Sequence, residues 1–343
     1  MKNTLHVFLQ ENWQRLELEG LGRPADLSYL MLTPRFKASS HLIFFVLDRK
    51  RAHPVLVAKV PRIPGDHGRL EREAANLRWL QGIRPEGFDS VPRVVAFEDF
   101  RGNRFLVETA LTHETMRPAL VRRRPQACTD AVLDWLLDVQ LATHKAGDGT
   151  QVKRALKTTL ATLERAFPGD GTEAQLLRET RRAVNPLLEE RVPLVCEHGD
   201  LSAPNVLIGP SDAIGVVDWE LAQPEGLPGV DLFFFLTYIA FARRRAQKLS
   251  EYLRAFHEAF WGEPAWTRSF VQRYCDALEL PAPVLKPLFV LCWTRYVAGL
   301  IQRLQSAQPD QAELTHDTLH WLRTNRYYAL WNHTLTHLEE LSF

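Results

Sequence analysis

Two short stretches of the sequence decide the fold: Glu197-His198-Gly199-Asp200-Leu201-Ser202-Ala203-Pro204-Asn205-Val206-Leu207 and, further on, Gly215-Val216-Val217-Asp218-Trp219-Glu220. Apolar runs at 206–208 and 214–217 have the composition of two short paired strands. A hairpin of this kind returns the chain to its starting point, so Asn205 and Asp218 are expected to lie side by side. The sequence therefore predicts that an acid at 200, an amide at 205 and a second acid at 218 converge.

This group of side chains suits phosphoryl transfer. The transition state of that reaction needs positioning and charge neutralisation more than covalent help from the protein. Asn205 and Asp218 offer the oxygen ligands that Mg²⁺ takes beside phosphate oxygens. Asp200 is expected to orient an acceptor hydroxyl and to take its proton. The sequence thus predicts Asp200 as the catalytic residue and Asn205 and Asp218 as magnesium ligands.

The motif pair resembles a known superfamily. His-Gly-Asp-Leu-x-x-x-Asn-x-Leu followed by Val-Asp-Trp-Glu is similar to the aminoglycoside phosphotransferase, choline kinase and fructosamine kinase superfamily, and its layout is similar to the catalytic loop and metal-binding motif of protein kinases. The resemblance covers residues from about 30 to 240. It implies an α+β class and a bilobal protein-kinase-like fold, with a small β-rich N-lobe carrying one key helix and a larger, mainly helical C-lobe.

Two further matches extend the resemblance into the first third of the chain. Val57-Ala58-Lys59-Val60 resembles the third-strand lysine motif of kinases, which implies that Lys59 holds the α- and β-phosphates of ATP. The stretch 70–77, Leu-Glu-Arg-Glu-Ala-Ala-Asn-Leu, resembles the helix that supplies the partner acid of this lysine. The family places that acid directly before Ala-Ala, which implies Glu73, with Glu71 as the alternative.

The remaining nucleotide contacts follow from the same resemblance. The segment 108–111 corresponds to the inter-lobe hinge, so Glu108 and Ala110 are expected at the adenine, which a hinge contacts through its backbone. The loop expected to cover the phosphates, 34–41, contains no glycine. Its small residues include Ser39 and Ser40, which are expected to approach the phosphates instead.

Three positions around the motifs bear on the substrate and on the loop. Asp231 matches an acid that braces the catalytic loop in this superfamily, and as an aspartate it also suits a helix N-cap. Glu220 is interpreted either as a second metal ligand or, by preference, as a structural acid. Only twelve residues separate Asp218 from Asp231, which leaves no room for a peptide-docking segment and disfavours a protein substrate.

The order of elements predicts two domains. Strand-forming runs at 29–32, 42–47, 54–60, 91–97 and 104–107 enclose one helical pattern near 70–80, whereas most of the later chain has helical periodicity. The predicted division is an N-lobe, residues 1–110, that binds nucleotide, and a C-lobe, residues 111–343, that carries the catalytic loop and the acceptor-binding helices.

Composition narrows the functional classes. The 343 residues include 42 Lys plus Arg and 41 Asp plus Glu, a balance that favours neither nucleic acid nor an acidic membrane surface as a partner. The apolar run 232–242 is too short to span a bilayer. Four widely spaced cysteines without a CxxC pair are typical of reduced thiols in a cytoplasmic protein. No membrane, nucleic-acid or obligatory protein partner is predicted.

The sequence therefore predicts an ATP- and Mg²⁺-dependent phosphotransferase. The expected acceptor is a hydroxyl of a small molecule such as a sugar, an aminoglycoside or an amino alcohol. The alternative is a non-catalytic nucleotide-binding module with a kinase-like fold. Such a module has no physical need for Asp200, whereas the glycine-free loop keeps this alternative open.

Overall fold

A computed structural model describes residues 2–33, 41–51, 53–63, 65–168, 171–306 and 314–343. The chain divides into two compact units: unit 1 contains residues 1–115 and 205–222, and unit 2 contains residues 116–204 and 223–343. Residues 205–222, which carry Asn205 and Asp218, thus belong to the same unit as the first third of the chain. The predicted lobes, 1–110 and 111–343, stay a prediction of domain organisation.

Unit 1 is built on a five-stranded antiparallel sheet. Its strands, in chain order, are β1 (Leu27–Leu32), β2 (His41–Asp48), β3 (Pro54–Pro61), β4 (Val94–Phe100) and β5 (Asn103–Thr109). They are arranged in the order β1-β2-β3-β5-β4. The sequence predicts all five, but β4 begins three residues later than the predicted run at 91–97, because Pro92 has no N–H to donate to a ladder.

Two helices accompany this sheet. Helix α2 (Gly68–Gln81) packs on β3 and β4, as the 70–80 pattern predicts. Helix α1 (Lys2–Asn12) was not predicted, and its Leu5, Phe8 and Leu9 lie in the core beneath the strands. The ring of Phe8 stacks on that of Phe105 in β5, with centroids 5.5 Å apart. Burial of this apolar stripe explains why a short N-terminal segment of ordinary propensity is helical.

A second, three-stranded sheet completes unit 1. Its strands β6 (Glu114–Thr115), β8 (Val206–Ile208) and β9 (Ile214–Val216) are antiparallel, in the order β6-β8-β9. The hairpin of β8 and β9 confirms the one predicted from the sequence. A separate two-stranded sheet belongs to unit 2, in which β7 (Val195–Glu197) pairs with β10 (Gln223–Gly226).

Unit 2 is mainly helical. Its helices are α3 (Pro118–Arg123), α4 (Pro125–Thr143), α5 (Thr150–Ala166), α6 (Thr172–Val184), α7 (Val230–Arg244), α8 (Leu249–Phe260), α9 (Arg268–Leu278), α10 (Ala282–Ser306), α11 (His316–Thr324) and α12 (Arg326–Thr336). A β-sheet unit followed by a mainly helical one confirms the predicted α+β class.

Helix α10 is the central helix of unit 2. It packs against α5, α6, α7 and α12. By length and composition, α10 could cross a membrane. It is longer than the apolar run 232–242, which is itself too short to span a bilayer. However, 78% of its most apolar 18-residue window is buried inside the protein. We therefore interpret α10 as a core helix.

Three histidines meet where α8 faces α12. The Nδ1 atom of His257 lies 3.1 Å from the Nε2 atom of His333, and the ring centroids of His333 and His337 are 4.4 Å apart. Since one imidazole of a hydrogen-bonded pair must act as acceptor, both rings cannot be fully protonated. Burial, followed by the charges of His337 and His257, lowers the pKa of His333 to about 4, although Glu340 opposes this shift.

This cluster makes the protein less stable in acid. Because the pKa of His333 is lower in the folded chain than in the unfolded one, the unfolded chain binds more protons, and stability falls as pH drops from about 6.5 towards 4. We expect His333→Gln to lose less of its free energy of unfolding than the wild type between pH 7 and pH 5 in urea titrations. His316→Gln, an exposed control, should follow the wild type, and identical slopes for all three proteins would contradict the prediction.

Candidate active site

Lys59 on β3 is held by two buried carboxylates. Its Nζ atom lies 2.5 Å from Glu73 Oε1 on α2 and 3.2 Å from Glu108 Oε1 on β5. Glu73 is fully buried, and Lys59 and Glu108 are nearly so. The other acid considered from the sequence, Glu71, pairs with Arg104 instead. The structure thus brings Lys59 and Glu73 together, while their roles in nucleotide binding stay a prediction.

The electrostatics of this group favour a bound cation. Burial alone would lower the pKa of Lys59, but the charges of Glu108 and Glu73 outweigh it and raise that pKa. Burial raises the pKa of Glu73 against the opposing charge of Lys59, and the charges of Glu108 and Asp218 add to the rise. The positive charge of the Lys59 ammonium is therefore stabilised by three acids, Glu73, Glu108 and Asp218.

Helix α2 fixes the peptide that follows Asp218. Glu73 Oε1 accepts a hydrogen bond from the Trp219 backbone N–H at 3.1 Å. Asn76 Nδ2, one turn further along the helix, donates to the carbonyl oxygens of Trp219 and Ala222 at 2.9 and 3.0 Å. The carboxylate that contacts Lys59 therefore also determines where the segment 219–222 lies.

Asp218 itself has an unusual backbone conformation. Its φ is 70°, in the left-handed region, which costs a non-glycine residue about 1–3 kcal/mol and persists only where the surroundings enforce it. Here Val217 N–H donates to the Asn205 carbonyl at 3.0 Å, and the indole N–H of Trp219 donates to Val216 at 2.9 Å. Asn205 and Asp218 are thus brought side by side, as the hairpin predicts.

The surroundings of Asp218 fit a divalent metal ion. Its Oδ1 atom is buried and has no hydrogen-bond partner among the described residues. One ligand atom each of His41, Asp218 and Glu220 lie within 4.8 Å of one another. Burial, followed by the charge of Lys59, lowers the pKa of His41 to about 4, so its imidazole is neutral at pH 7. Sequence reasoning included His41 only in the predicted phosphate loop, 34–41, because its proximity to Asp218 joins segments that lie far apart in the chain.

Glu220 lies near Arg69 and the neutral imidazole of His41, both in unit 1. Its Oε1 lies 3.3 Å from Arg69 Nη1 at the start of α2, and its Oε2 lies 3.7 Å from His41 Nδ1 on β2. These contacts support the structural role preferred from the sequence. The same carboxylate belongs to the group around Asp218, so both interpretations of Glu220 remain compatible with its position.

In unit 2, Asp231 braces the loop that carries Asp200. Its two carboxylate oxygens accept the backbone N–H groups of His198 and Gly199 at 2.7 and 2.9 Å. Gly199 has a φ of 81°, which favours glycine immediately before Asp200. Asp231 lies in the first turn of α7, whose N-cap is Gly229, so the N-cap interpretation of Asp231 is wrong by two residues.

A buried ion pair anchors the strand that enters this loop. Arg295 on α10 donates to both carboxylate oxygens of Glu197, at 2.8 and 2.7 Å. Glu197 Oε2 also accepts the N–H of Leu227 at 3.1 Å. A Cβ atom at Gly226 would lie 2.3 Å from the Glu197 side chain, so only glycine fits there. Sequence reasoning missed this pair, because its members are 98 residues apart.

Comparisons with known proteins identify the family of this chain. A family model described as the phosphotransferase enzyme family matches residues 35–270. The chain belongs to this family. The match covers more than half of the chain and includes the motifs around Lys59, Asp200 and Asp218. A search of curated proteins finds no match.

Solved structures of several small-molecule kinases have a similar fold. Choline kinase LicA from Streptococcus pneumoniae is 14% identical, with a TM-score of 0.57 over 95% of this chain and 98% of that one. An ethanolamine kinase from Plasmodium vivax is 13% identical, with a TM-score of 0.53 over 96% and 89%. An aminoglycoside phosphotransferase, APH(3'')-Id from Streptomyces rimosus, is 16% identical, with a TM-score of 0.50 over 82% and 98%. These likenesses confirm the predicted protein-kinase-like fold.

Of the other predicted nucleotide contacts in this phosphotransferase-family chain, the structure describes two and leaves two outside its described residues. Ala110 directly follows β5, and its N–H donates to the Val55 carbonyl at 3.4 Å. The Glu108 side chain points at Lys59, which sequence reasoning did not anticipate when it placed Glu108 in a backbone hinge. Ser39 and Ser40 lie outside the described residues.

Proposed function

We propose that the chain is an ATP-dependent phosphotransferase that moves the γ-phosphate to a hydroxyl group of a small molecule. In this reaction the acceptor oxygen forms a bond to the γ-phosphorus, the bond between that phosphorus and the β,γ-bridging oxygen breaks, and ADP leaves. The hydroxyl proton passes to Asp200. The products are ADP and a phosphate monoester.

The observation that carries the proposal is the arrangement around Glu73. One buried carboxylate pairs with Lys59 and also holds the peptide after Asp218. An ammonium that contacts phosphates and an acid that binds metal must keep a fixed separation, and a shared partner on α2 sets that separation. Such preorganisation is how a protein stabilises the charge of a phosphoryl-transfer transition state.

Magnesium has a place in this proposal. Asp218 and Asn205 would hold it, and His41 and Glu220 lie within reach of the same point. When bound, Mg²⁺ neutralises phosphate charge. The chain's own part is to hold Lys59 at the phosphates, to keep Asp218 in its strained conformation, and to present Asp200 from a loop whose amides Asp231 fixes.

The names of the solved structures support nucleotide use. The aminoglycoside phosphotransferase was crystallised with ADP and streptomycin, and LicA with AMP. For this chain, ATP as donor and a small cytoplasmic alcohol as acceptor are our proposal. The short interval between Asp218 and Asp231 supports a small acceptor over a peptide.

The competing function is a module that binds nucleotide without turnover. We expect purified protein with ATP and Mg²⁺ to form ADP in the presence of an acceptor from a panel of sugars, sugar acids, aminoglycosides and amino alcohols. Lys59→Met should weaken ATP binding, because the ammonium that contacts the phosphates is lost. ATP binding without acceptor-dependent ADP formation across the whole panel would contradict the proposal and favour the module.

A further inference from the structure

An arginine of unit 2 lies within a group of aromatic rings. The guanidinium carbon of Arg326, the first residue of α12, is 5.0 Å from the ring centroid of Tyr327, 5.3 Å from that of Tyr238 and 5.5 Å from that of Tyr252. Phe241 adds a fourth ring at 6.0 Å. Distances of this order give a favourable cation–π attraction. We call this group the Arg326 cage.

Within the described part of the chain, the hydrogen-bonding groups of Arg326 are only partly satisfied. Its Nη2 atom donates to the hydroxyl oxygens of Tyr238 and Tyr327, at 2.7 and 3.0 Å. A guanidinium has five N–H groups, and those on Nε and Nη1 donate to none of the described residues. Within the same residues, no carboxylate lies within ion-pair distance of Arg326. The Arg326 residue is partly exposed.

The Arg326 cage adjoins the loop that carries Asp200. Tyr296 on α10 donates its hydroxyl to the Gly199 carbonyl at 3.1 Å, and its ring centroid lies 5.6 Å from that of Tyr327. Burial raises the pKa of the Tyr238 hydroxyl, and the nearby charge of Asp200 adds to this rise. The cage thus lies on the side of the helical unit where the proposed reaction takes its acceptor.

We propose that Arg326 is an acceptor-specificity residue and that the acceptor is an anionic alcohol, with a carboxylate or phosphate group beside the hydroxyl that is phosphorylated. This inference rests on the proposed function. The N–H groups on Nε and Nη1 can each donate to one oxygen of such a group, and charge-assisted hydrogen bonds are about twice as strong as neutral ones.

The same geometry disfavours a cationic acceptor. Aromatic rings of this kind can hold an ammonium group, but here the chain's own guanidinium already occupies them. An amino alcohol or aminoglycoside placed beside Arg326 would meet a like charge in a partly desolvated site, where repulsion is stronger than in water. Removal of the arginine would leave the rings free for such a ligand.

The test compares polyols of similar size that differ in charge. Two sets are used: gluconate, glucose and glucosamine, and glycerate, glycerol and serinol. Each compound is titrated by calorimetry against the protein loaded with a non-hydrolysable ATP analogue, and each is assayed as an acceptor with ATP. We expect at least one acid to bind more tightly than its neutral and cationic partners. Loss of a charged hydrogen bond predicts that Arg326→Gln raises its Kd and KM about 10- to 100-fold. The KM for ATP and kcat at saturating acceptor should change little.

Two variants separate recognition from folding. Arg323→Gln removes an equal charge from α11, where Arg323 pairs with Glu173, and should leave the Kd of the acid unchanged. Arg326→Ala should gain binding of choline to the emptied rings, which a merely structural role of Arg326 would not produce.

Two results would overturn the inference. In the first, neither gluconate nor glycerate binds more tightly to the wild type than to Arg326→Gln. In the second, the wild type prefers glucosamine or serinol to the matching acid. Turnover of a neutral or cationic acceptor would then leave the proposed function standing. Absence of turnover with every acceptor, alongside Arg326-dependent binding of an acid, would instead count against the proposed function alone.

Discussion

Asp200→Asn is expected to lower kcat by about 10²- to 10⁴-fold, the usual contribution of a general base. The asparagine keeps the size and the hydrogen-bonding oxygen of the aspartate but cannot take the proton of the acceptor. The backbone amides of His198 and Gly199 would still be held by Asp231, so the loop should keep its conformation. The KM for ATP should stay close to that of the wild type, because Lys59, Glu73 and Asp218 are untouched.

The measurement is steady-state ADP formation with the best acceptor of the panel, together with equilibrium binding of ATP. Asp317→Asn is a matched control, because that aspartate lies in α11 with a fully exposed side chain. It should retain wild-type kcat. An Asp200→Asn protein that binds ATP normally and turns over at the wild-type rate would remove Asp200 from the mechanism.

Arg295→Met is expected to cost about 3–5 kcal/mol of the free energy of unfolding, because it leaves the Glu197 carboxylate buried without its cation. Glu197 is 1% exposed and Arg295 only 16%, so little solvent can replace the lost partner. The Leu227 N–H still donates to Glu197, but one amide does not neutralise a buried charge. Since Glu197 immediately precedes His198, the loss should also disturb the loop that presents Asp200.

Urea unfolding followed by far-ultraviolet circular dichroism measures this effect. Arg244→Met is the matched control, because Arg244 forms an exposed pair with Glu258, and such pairs contribute about 0–1 kcal/mol. The double variant Glu197→Gln/Arg295→Met removes both charges and should recover part of the lost stability. A cost for Arg295→Met no larger than that of Arg244→Met would show that the buried pair does not stabilise the fold.

Local sequence was sufficient for the parts of the site that short-range geometry controls. The hairpin between β8 and β9 brings Asn205 next to Asp218, because two short strands joined by a tight connection must return to their start. Glu73 contacts Lys59. Backbone geometry sets which residues share a face of a helix and which side chains share a face of a strand, so a local pattern can predict this pair. The α+β class followed from the same periodicities.

Long-range contacts needed the tertiary structure. Helix α1 gains its stability from burial of Leu5, Phe8 and Leu9 beneath strands that come later in the chain. His41 lies near Asp218 and Glu220 because β2 and the segment that follows the β8–β9 hairpin fold into the same unit.

Local motifs around Lys59, Asp200, Asn205 and Asp218 were sufficient to identify this chain as a phosphotransferase-family protein, because each motif lies within one short segment. The distant charged residues that surround these motifs became known from the folded chain. Arg295 reaches Glu197 across 98 residues, and Arg326 enters a cage of rings from α7, α8 and α12. Tertiary packing brings such partners together, and burial strengthens the resulting ion pair or cation–π contact. The spacing of these residues along the chain does not predict the contact.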